Sequence, residues 1–421
     1  MRLHKSGELA EAEQAYRRVL DANPRNPQAL YLSGVVTGQL GRSHEAIELL
    51  QRAISLEPDH SQAISELAKL FRETGQLEAS AETLRELILL RPDLGELHSN
   101  LGIVLRGLGK PEEAVAACEK AVELSPDSAL AHFNLGDVLK GLHRFEEAAA
   151  AYRGAIALRP EMTEAYPNLA AALRNIDELD DAADVLKQWL RHDPDNPIAQ
   201  HMVAAHCGKD TPTRASDGYV RRVFDEFAAT FDNDLQELDY QGPRLIAEAV
   251  RAELGQGARG LDVLDAGCGT GLCGPSLRPA ARRLVGVDLS SEMIQHARDL
   301  NLYDELVESE LTEYLNSHPQ EFDLIVAADT FNYFGVLEPL LMAAACALRA
   351  QGLLVFTLEQ CEASLSIADY RLNLHGRYSH NEDYVKRCMY EHGLFIDSLE
   401  SATLRKERNQ PVPGIVVRAR R

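Results

Sequence analysis

Two features in the second half of the chain could do chemistry together. An apolar run, Leu261 to Ala266, leads directly into Gly267, Gly269 and Gly271. Glycines at a strand-to-helix turn reach backbone angles closed to other residues, and they let main-chain amides approach a ligand with no side chain between. A second run, Arg283 to Asp288, ends in a carboxylate 17 positions after Gly271. A carboxylate at the end of a second parallel strand can accept both hydroxyl hydrogens of a ribose. Taken alone, the glycines are equally a tight turn. Taken with Asp288, they read as a nucleoside-binding site.

That site needs a scaffold, and 421 residues leave room for two or three domains of about 150 residues. Apolar residues make up 45% and charged residues 26%, a globular balance that excludes wholesale disorder and collagen-like or coiled-coil fibres. Acidic side chains outnumber basic ones 65 to 43, for a formal charge of −22. Nucleic-acid binding needs clustered cations, so no nucleic-acid partner is expected. No run reaches the eighteen or so apolar residues that suggest a membrane span, and Met1 to Gln14 carry no signal-peptide core; no membrane association is expected. The seven cysteines, Cys118, Cys207, Cys268, Cys273, Cys346, Cys361 and Cys388, are scattered and form no CxxC pair. Neither a disulfide framework nor a metal site is expected, and the cytoplasm is the expected compartment.

The first half is periodic. Pro24, Pro58, Pro92, Pro126, Pro160 and Pro194 are each 34 residues apart. Twelve residues before each proline stands a small side chain: Ala12, Ala46, Ser80, Ala114, Ala148, Ala182. Gly34, Ala68, Gly102, Gly136 and Ala170 hold another small position, while Gly7, Gly41, Gly75 and Gly109 give way in register to His143 and Asp177. The pattern predicts two short helices per unit, small residues where they cross, a turn between them, and a proline closing the second. It resembles the tetratricopeptide repeat, from Met1 to about Pro194. A tail, Asn196 to His206, is expected to cap the last repeat, completing an α-solenoid over residues 1–207. In this register the chain begins inside the first helix of a unit. That implies further repeat upstream or a frayed first helix, with Met1 to Lys5 a short helix bearing an uncapped apolar edge. Stacked helix pairs build a concave binding face, so a protein or peptide partner is expected in the repeat groove, with Asn100 and Asn134 facing it; self-association or spacing is the other use of such an array.

Residues 208–218 are polar and rich in turn formers, and read as a linker. Beyond them short apolar runs alternate with helical patterns, the signature of an α/β fold with a mostly parallel sheet. The block Asp265-Ala-Gly-Cys-Gly-Thr-Gly271 is not the GxGxxG that seats a pyrophosphate. Together with Val285-Gly-Val-Asp-Leu-Ser-Ser-Glu-Met293 it resembles the class I S-adenosylmethionine-dependent methyltransferases, over about Tyr219 to Arg421. The resemblance implies a Rossmann-like, seven-stranded domain over residues 219–421, and S-adenosylmethionine as cofactor.

It further implies that Gly267, Cys268, Gly269 and Gly271 lie along the methionine and ribose of the cofactor, that Asp265 sits near its amino group, and that Asp288 takes the ribose hydroxyls. Leu289 and Met293 would flank the adenine. Glu310 with Leu311 is favoured for the adenine amino group over Glu308, and Ala328 ends the fourth strand beside the cofactor. Phe224, Phe227 and Phe231 share a helical face as lid or as core, with Tyr219 near the cofactor's carboxylate. Cys268 reads as a small filler rather than a nucleophile. On the acceptor side, Asp329, Tyr333 and His380 are the candidate catalytic groups. Asn332, Arg377 and Tyr378 are the candidate substrate contacts; packing and a hydrogen-bonded loop are the plain readings of the same residues. The expected function is methyl transfer to a protein or carrier-bound acceptor recruited by the repeats. A small-molecule acceptor with repeats used for assembly, and a non-catalytic scaffold that keeps cofactor binding, are the alternatives.

Overall fold

The computed structural model describes residues 8–208, 211–255, 257–361, 369–407 and 410–421; the helix expected at Met1 to Lys5 lies outside the described residues. The chain forms two compact units, Met1–His192 and Asp193–Arg421.

The first unit is built from helix pairs, such as Pro27–Gln39 with Ser43–Leu56 and Ala129–Gly141 with Phe145–Leu158. The second helix of a pair ends two residues before its proline, at Leu56, Leu124 and Leu158, because proline cannot supply the next helical N–H. Gly41, Gly75 and Gly109 turn the chain at φ of 80°, 74° and 68°. His143 and Asp177 hold the same left-handed conformation, at φ 59° and 60°, so the turn persists where glycine is lost. Small residues are required at the crossings. A Cβ on Gly136 would lie 2.7 Å from the Tyr152 ring, and one on Gly102 would collide with Cys118 Sγ. Asn134 departs from expectation. It is buried, and its amide donates to Ser99 Oγ at 2.8 Å, inside the unit, rather than standing exposed for a groove ligand.

Among the described residues, the second unit holds one nine-stranded sheet. Its strands are β1 (Leu261–Ala266), β2 (Ala281–Asp288), β3 (Glu305–Glu308), β4 (Phe322–Ala327), β5 (Leu348–Gln360), β6 (Tyr370–Leu372), β7 (Tyr378–His380), β8 (Phe395–Glu407) and β9 (Gln410–Arg420). Strands β3-β2-β1-β4-β5 run parallel, β9 pairs antiparallel with β5, and β8 with β9. These are the seven expected strands. The β6–β7 hairpin is additional: β7 pairs parallel with the last residues of β5, Glu359 and Gln360. Both faces of the parallel strands are covered, which is why they read as continuous apolar runs. Leu264, Val285, Ile325 and Leu354 pack on one side with the helix Glu338–Ala347, and Val263, Leu284, Leu324 and Val355 on the other with the helix Gly242–Leu254.

Two boundaries shift. The helix Pro197–Cys207, expected to cap the repeats, falls in the second unit. There its buried His201 makes a 2.8 Å hydrogen bond from Nε2 to Gly376 O and stacks on Tyr219 at 3.9 Å. The described part of the expected linker is pinned as well: Thr213 O accepts the amides of Gly335 and Val336 at 2.8 Å, and Ala215 N–H donates to Tyr333 O at 2.8 Å. Its backbone groups are satisfied by a distant loop, which local composition does not register. No helix among the described residues is long and apolar enough to cross a membrane.

Candidate active site

The turn after β1 opens a cavity at the carboxyl ends of the parallel strands, the general ligand position in such sheets. Gly267, at φ 73°, fits because any Cβ there would collide with Thr330, whose hydroxyl donates to Ala266 O at 2.9 Å. Gly269, at φ 53°, has only the Phe231 ring within 4.0 Å of where a Cβ would stand, and its backbone borders the cavity. Gly271 does not: its bare face meets Leu300 and Tyr303 and serves packing.

Three acids line this end: Asp265, Asp288 and Glu310. Asp288 accepts the Gly269 amide on Oδ2 at 2.9 Å and the Ser290 amide on Oδ1 at 3.0 Å. Burial raises its pKa, against those amides. Asp265, almost fully buried at the end of β1, accepts the Tyr303 hydroxyl at 2.7 Å; burial lifts it to about 7, with the charge of Asp288 adding to the rise. Glu310 caps the helix Leu311–Ser317 by accepting the Glu313 amide on Oε2 at 2.8 Å, which leaves Oε1 buried with no partner among the described residues. Glu308 instead lies exposed, 3.7 Å from Arg221. Leu289, Leu311, Ala328 and Cys268 also line the cavity. Burial and the carboxylates of Asp288 and Asp265 push the Cys268 thiol well above its usual range, as befits a filler. Met293 is fully buried beneath the wall and does not border the cavity.

At the other end stand Asp329, Tyr333, Arg377 and Arg405. Asp329 holds a left-handed backbone, φ 57°, an uncommon state for a residue with a side chain. It persists because Thr357 Oγ1 bonds both its amide and its Oδ1 at 2.8 Å, while Arg405 Nη1 sits 3.2 Å from Oδ2. Burial raises the Asp329 pKa, and Arg405 and Thr357 oppose the rise. Arg405 is 1% exposed and also pairs with Glu359 through Nη2 and with Glu407 through Nε at 2.8 Å. Arg405, Glu359 and Glu407 were not singled out in the sequence. Glu359 and Arg405 lie near the ends of β5 and β8, held there by the antiparallel ladders of both strands with β9.

Four expected contacts are absent from this wall. His380 is buried in β7, and its Nε2–H donates to Phe334 O at 2.8 Å; burial holds its pKa down to about 4, so it is a neutral structural group and not a base at the site. Asn332 is buried with Oδ1 accepting the Glu359 amide at 2.8 Å, and the Tyr378 hydroxyl donates to Pro212 O at 2.7 Å. Tyr219 is buried against His201, away from the wall. The aromatic lid is partial. Phe224 packs edge-on to Phe231 at 5.8 Å and to Tyr333 at 5.5 Å over the cavity, whereas Phe227, 51% exposed, ends the helix Asp217–Phe227. A second helix, Phe231–Glu237, breaks the single face on which the spacing placed all three. Tyr240, Leu272 and Arg214 complete the wall without any local motif to announce them.

A family model described as a methyltransferase domain matches residues 263–352, and models described as tetratricopeptide repeats match 3–60, 39–101, 93–161 and 133–197. This chain carries tetratricopeptide repeats joined to a methyltransferase domain. The methyltransferase domain is similar to the ubiquinone biosynthesis O-methyltransferase of Thiobacillus denitrificans, 32% identical over 162 residues, 35% of this chain and 63% of that protein. It is also similar to the malonyl-[acyl-carrier protein] O-methyltransferase of Pectobacterium atrosepticum, 34% identical over 92 residues, 22% of this chain and 34% of that protein. The chain therefore spans less than two thirds of the length of these curated relatives. A solved structure of Pseudomonas aeruginosa pilF is similar over 48% of this chain and 92% of its own, at 19% identity and a TM-score of 0.41. A methyltransferase domain implies S-adenosylmethionine as methyl donor. The donor end of the cavity suits it: an unpartnered buried acceptor at Glu310 Oε1, a bare backbone at Gly269, and carboxylates at Asp265 and Asp288.

Proposed function

We propose that the chain is an S-adenosylmethionine-dependent methyltransferase whose repeats recruit a protein or carrier-bound acceptor. The observation that carries the reading is that Asp288, at the end of β2, borders the same cavity as the Gly267–Gly269 turn and the unpartnered Oε1 of Glu310. In this reading Asp288 accepts the ribose hydroxyls, Glu310 accepts from the adenine amino group between Leu289 and Leu311, and Asp265 faces the cationic amino group. An ammonium beside Asp265 would offset the desolvation that raises its pKa.

Bound S-adenosylmethionine supplies an electrophilic methyl group on a sulfonium. The protein's task is then chiefly to align the acceptor with that methyl, which positioning can supply. Phe224, Phe231 and Tyr333 exclude water from the approach. Asp329 is the group placed to take a proton, and it is needed as a base only where the acceptor is protonated at working pH.

The test is calorimetric titration of the full chain with S-adenosylmethionine. Binding is expected in the wild type. Asp288→Ala should lose at least about tenfold in affinity, because two hydrogen bonds to a charged acceptor disappear. A chain that binds no donor would leave only a helical adaptor, and an Asp288→Ala chain that binds it as well as the wild type would take Asp288 out of the donor site.

A further inference from the structure

The cavity is polarised. Its donor end carries the acids Asp265, Asp288 and Glu310, and its other end carries three arginines, Arg214, Arg377 and Arg405, with one acid, Asp329. The carboxylates that balance Arg214 and Arg377, namely Asp217, Glu359 and Glu407, stand behind the wall rather than on it, while Asp329, which pairs with Arg405, lines the wall itself.

The three arginines differ in what they have left to give. Arg405 spends Nη1 on Asp329, Nη2 on Glu359 and Nε on Glu407, and it is sealed from solvent. Arg214 commits Nη1 to Asp217 at 2.5 Å and to Ala215 O at 3.2 Å. Arg377 donates through Nη2 to Glu407 at 2.5 Å, and its Nε lies 3.0 Å from Glu359 Oε1 without hydrogen-bond geometry. Its Nη1 has no acceptor among the described residues, and 24% of its side chain is open on the cavity wall. Glu359 and Glu407, shared with Arg405, fix the position of the guanidinium without consuming its free edge. The neighbouring wall is aromatic: Phe224, Tyr240 and Tyr333.

Resting on the methyltransferase reading, we propose that the acceptor carries a carboxylate, which docks on Arg377, and an aromatic body that lies against Phe224, Tyr240 and Tyr333. A planar guanidinium held in place and still short of acceptors is suited to a carboxylate, and such charge-assisted bonds are among the stronger ones a site can offer. The rival for Arg377 is the donor's own methionine carboxylate, and the experiment separates the two.

The probes are 2-naphthoate and its neutral isostere 2-naphthamide, titrated into the full chain by ligand-observed NMR, with and without S-adenosylhomocysteine. The wild type should bind the acid about tenfold more tightly than the amide, as a net charged hydrogen bond predicts. Arg377→Gln should bring the two within about twofold, Arg377→Lys should keep part of the preference, and both should keep the wild-type affinity for S-adenosylhomocysteine. Equal binding of acid and amide by the wild type would overturn the proposal, as would a preference that survives Arg377→Gln. So would an Arg377→Gln chain that loses affinity for S-adenosylhomocysteine but not for 5′-methylthioadenosine, since that assigns Arg377 to the donor's carboxylate. A wild type that fails to bind S-adenosylhomocysteine removes the donor reading, while the acid–amide comparison still decides whether Arg377 holds a carboxylate. Thermal midpoints of each variant identify one that fails to fold, and the wild-type comparison decides the proposal without it.

Discussion

Asp265 and His380 show how burial sets the role of a titratable group. Burial raises Asp265 to about 7 from the ordinary carboxylate value of 3.8. The folded chain therefore holds this proton more tightly than the unfolded one, and Asp265 makes stability fall as pH rises from about 4 to about 7. His380 is held down to about 4 by burial, from 6.5; the unfolded chain binds its proton more tightly, so this group makes stability rise over about 4 to 6.5. The two slopes oppose, and Asp265→Asn isolates one of them. Thermal midpoints measured without donor should rise more steeply with pH in Asp265→Asn than in the wild type below about pH 6.5. Above it, the wild type should lose stability that the variant keeps. Identical profiles would show that Asp265 is not held near neutrality. At the same scale, the carboxylate of Asp288 was readable from its place after an apolar run, whereas the partner that fixes Asp329, Arg405, is 76 residues away in sequence.

Among the elements, the helix Pro197–Cys207 and the β6–β7 hairpin change most between sequence and structure. The helix follows a repeat array and has an Asn cap and a proline at its start, so its sequence suits a solenoid cap. Its packing decides otherwise: buried His201 bonds Gly376 O and stacks on Tyr219, both inside the second unit. A fragment beginning at Asp193 should therefore unfold cooperatively at a higher temperature than one beginning at Gly208. The difference should amount to about 2 kcal/mol or more, since the shorter fragment exposes a buried ring face and leaves a carbonyl unpaired. Circular dichroism melts of the two fragments check this, and equal midpoints would return the helix to the repeats. The hairpin was read as a loop because its strands are three residues each, too short for alternation to show, yet it is what places Arg377 beside Glu359.

For the whole molecule, the question is what the repeats add to the domain. With labelled donor and a cell extract, the full chain should label macromolecular acceptors more strongly than the fragment Asp193–Arg421, while both bind donor with the same affinity. Equal labelling would remove the recruiting role and favour assembly. The formal charge of −22 bears on partners as well. Long-range repulsion of polyanions is screened by salt, so recruitment through a groove should depend on salt far less than binding to a phosphate backbone would.

What the sequence determined by itself was everything that repeats or sits next to its own signal. The 34-residue period named the helix pairs and their turns, even where His143 and Asp177 replace glycine. The apolar runs named the parallel strands, and their ends brought the glycine turn and Asp288 together, while Asp265 and Glu310 followed from the resemblance to the methyltransferases. Both kinds of pattern follow from local geometry, helical spacing and the two-sided burial of strands, so they are written in consecutive residues. The acceptor end was decided only by tertiary structure. Whether His380, Asn332 or Tyr378 faces a ligand or a backbone carbonyl, and whether Arg377 keeps a free edge, depends on burial and on ion pairs between β4, β5, β7 and β8. Those strands meet only when the sheet forms, and the cost of leaving a buried charge or carbonyl unpaired then selects each partner.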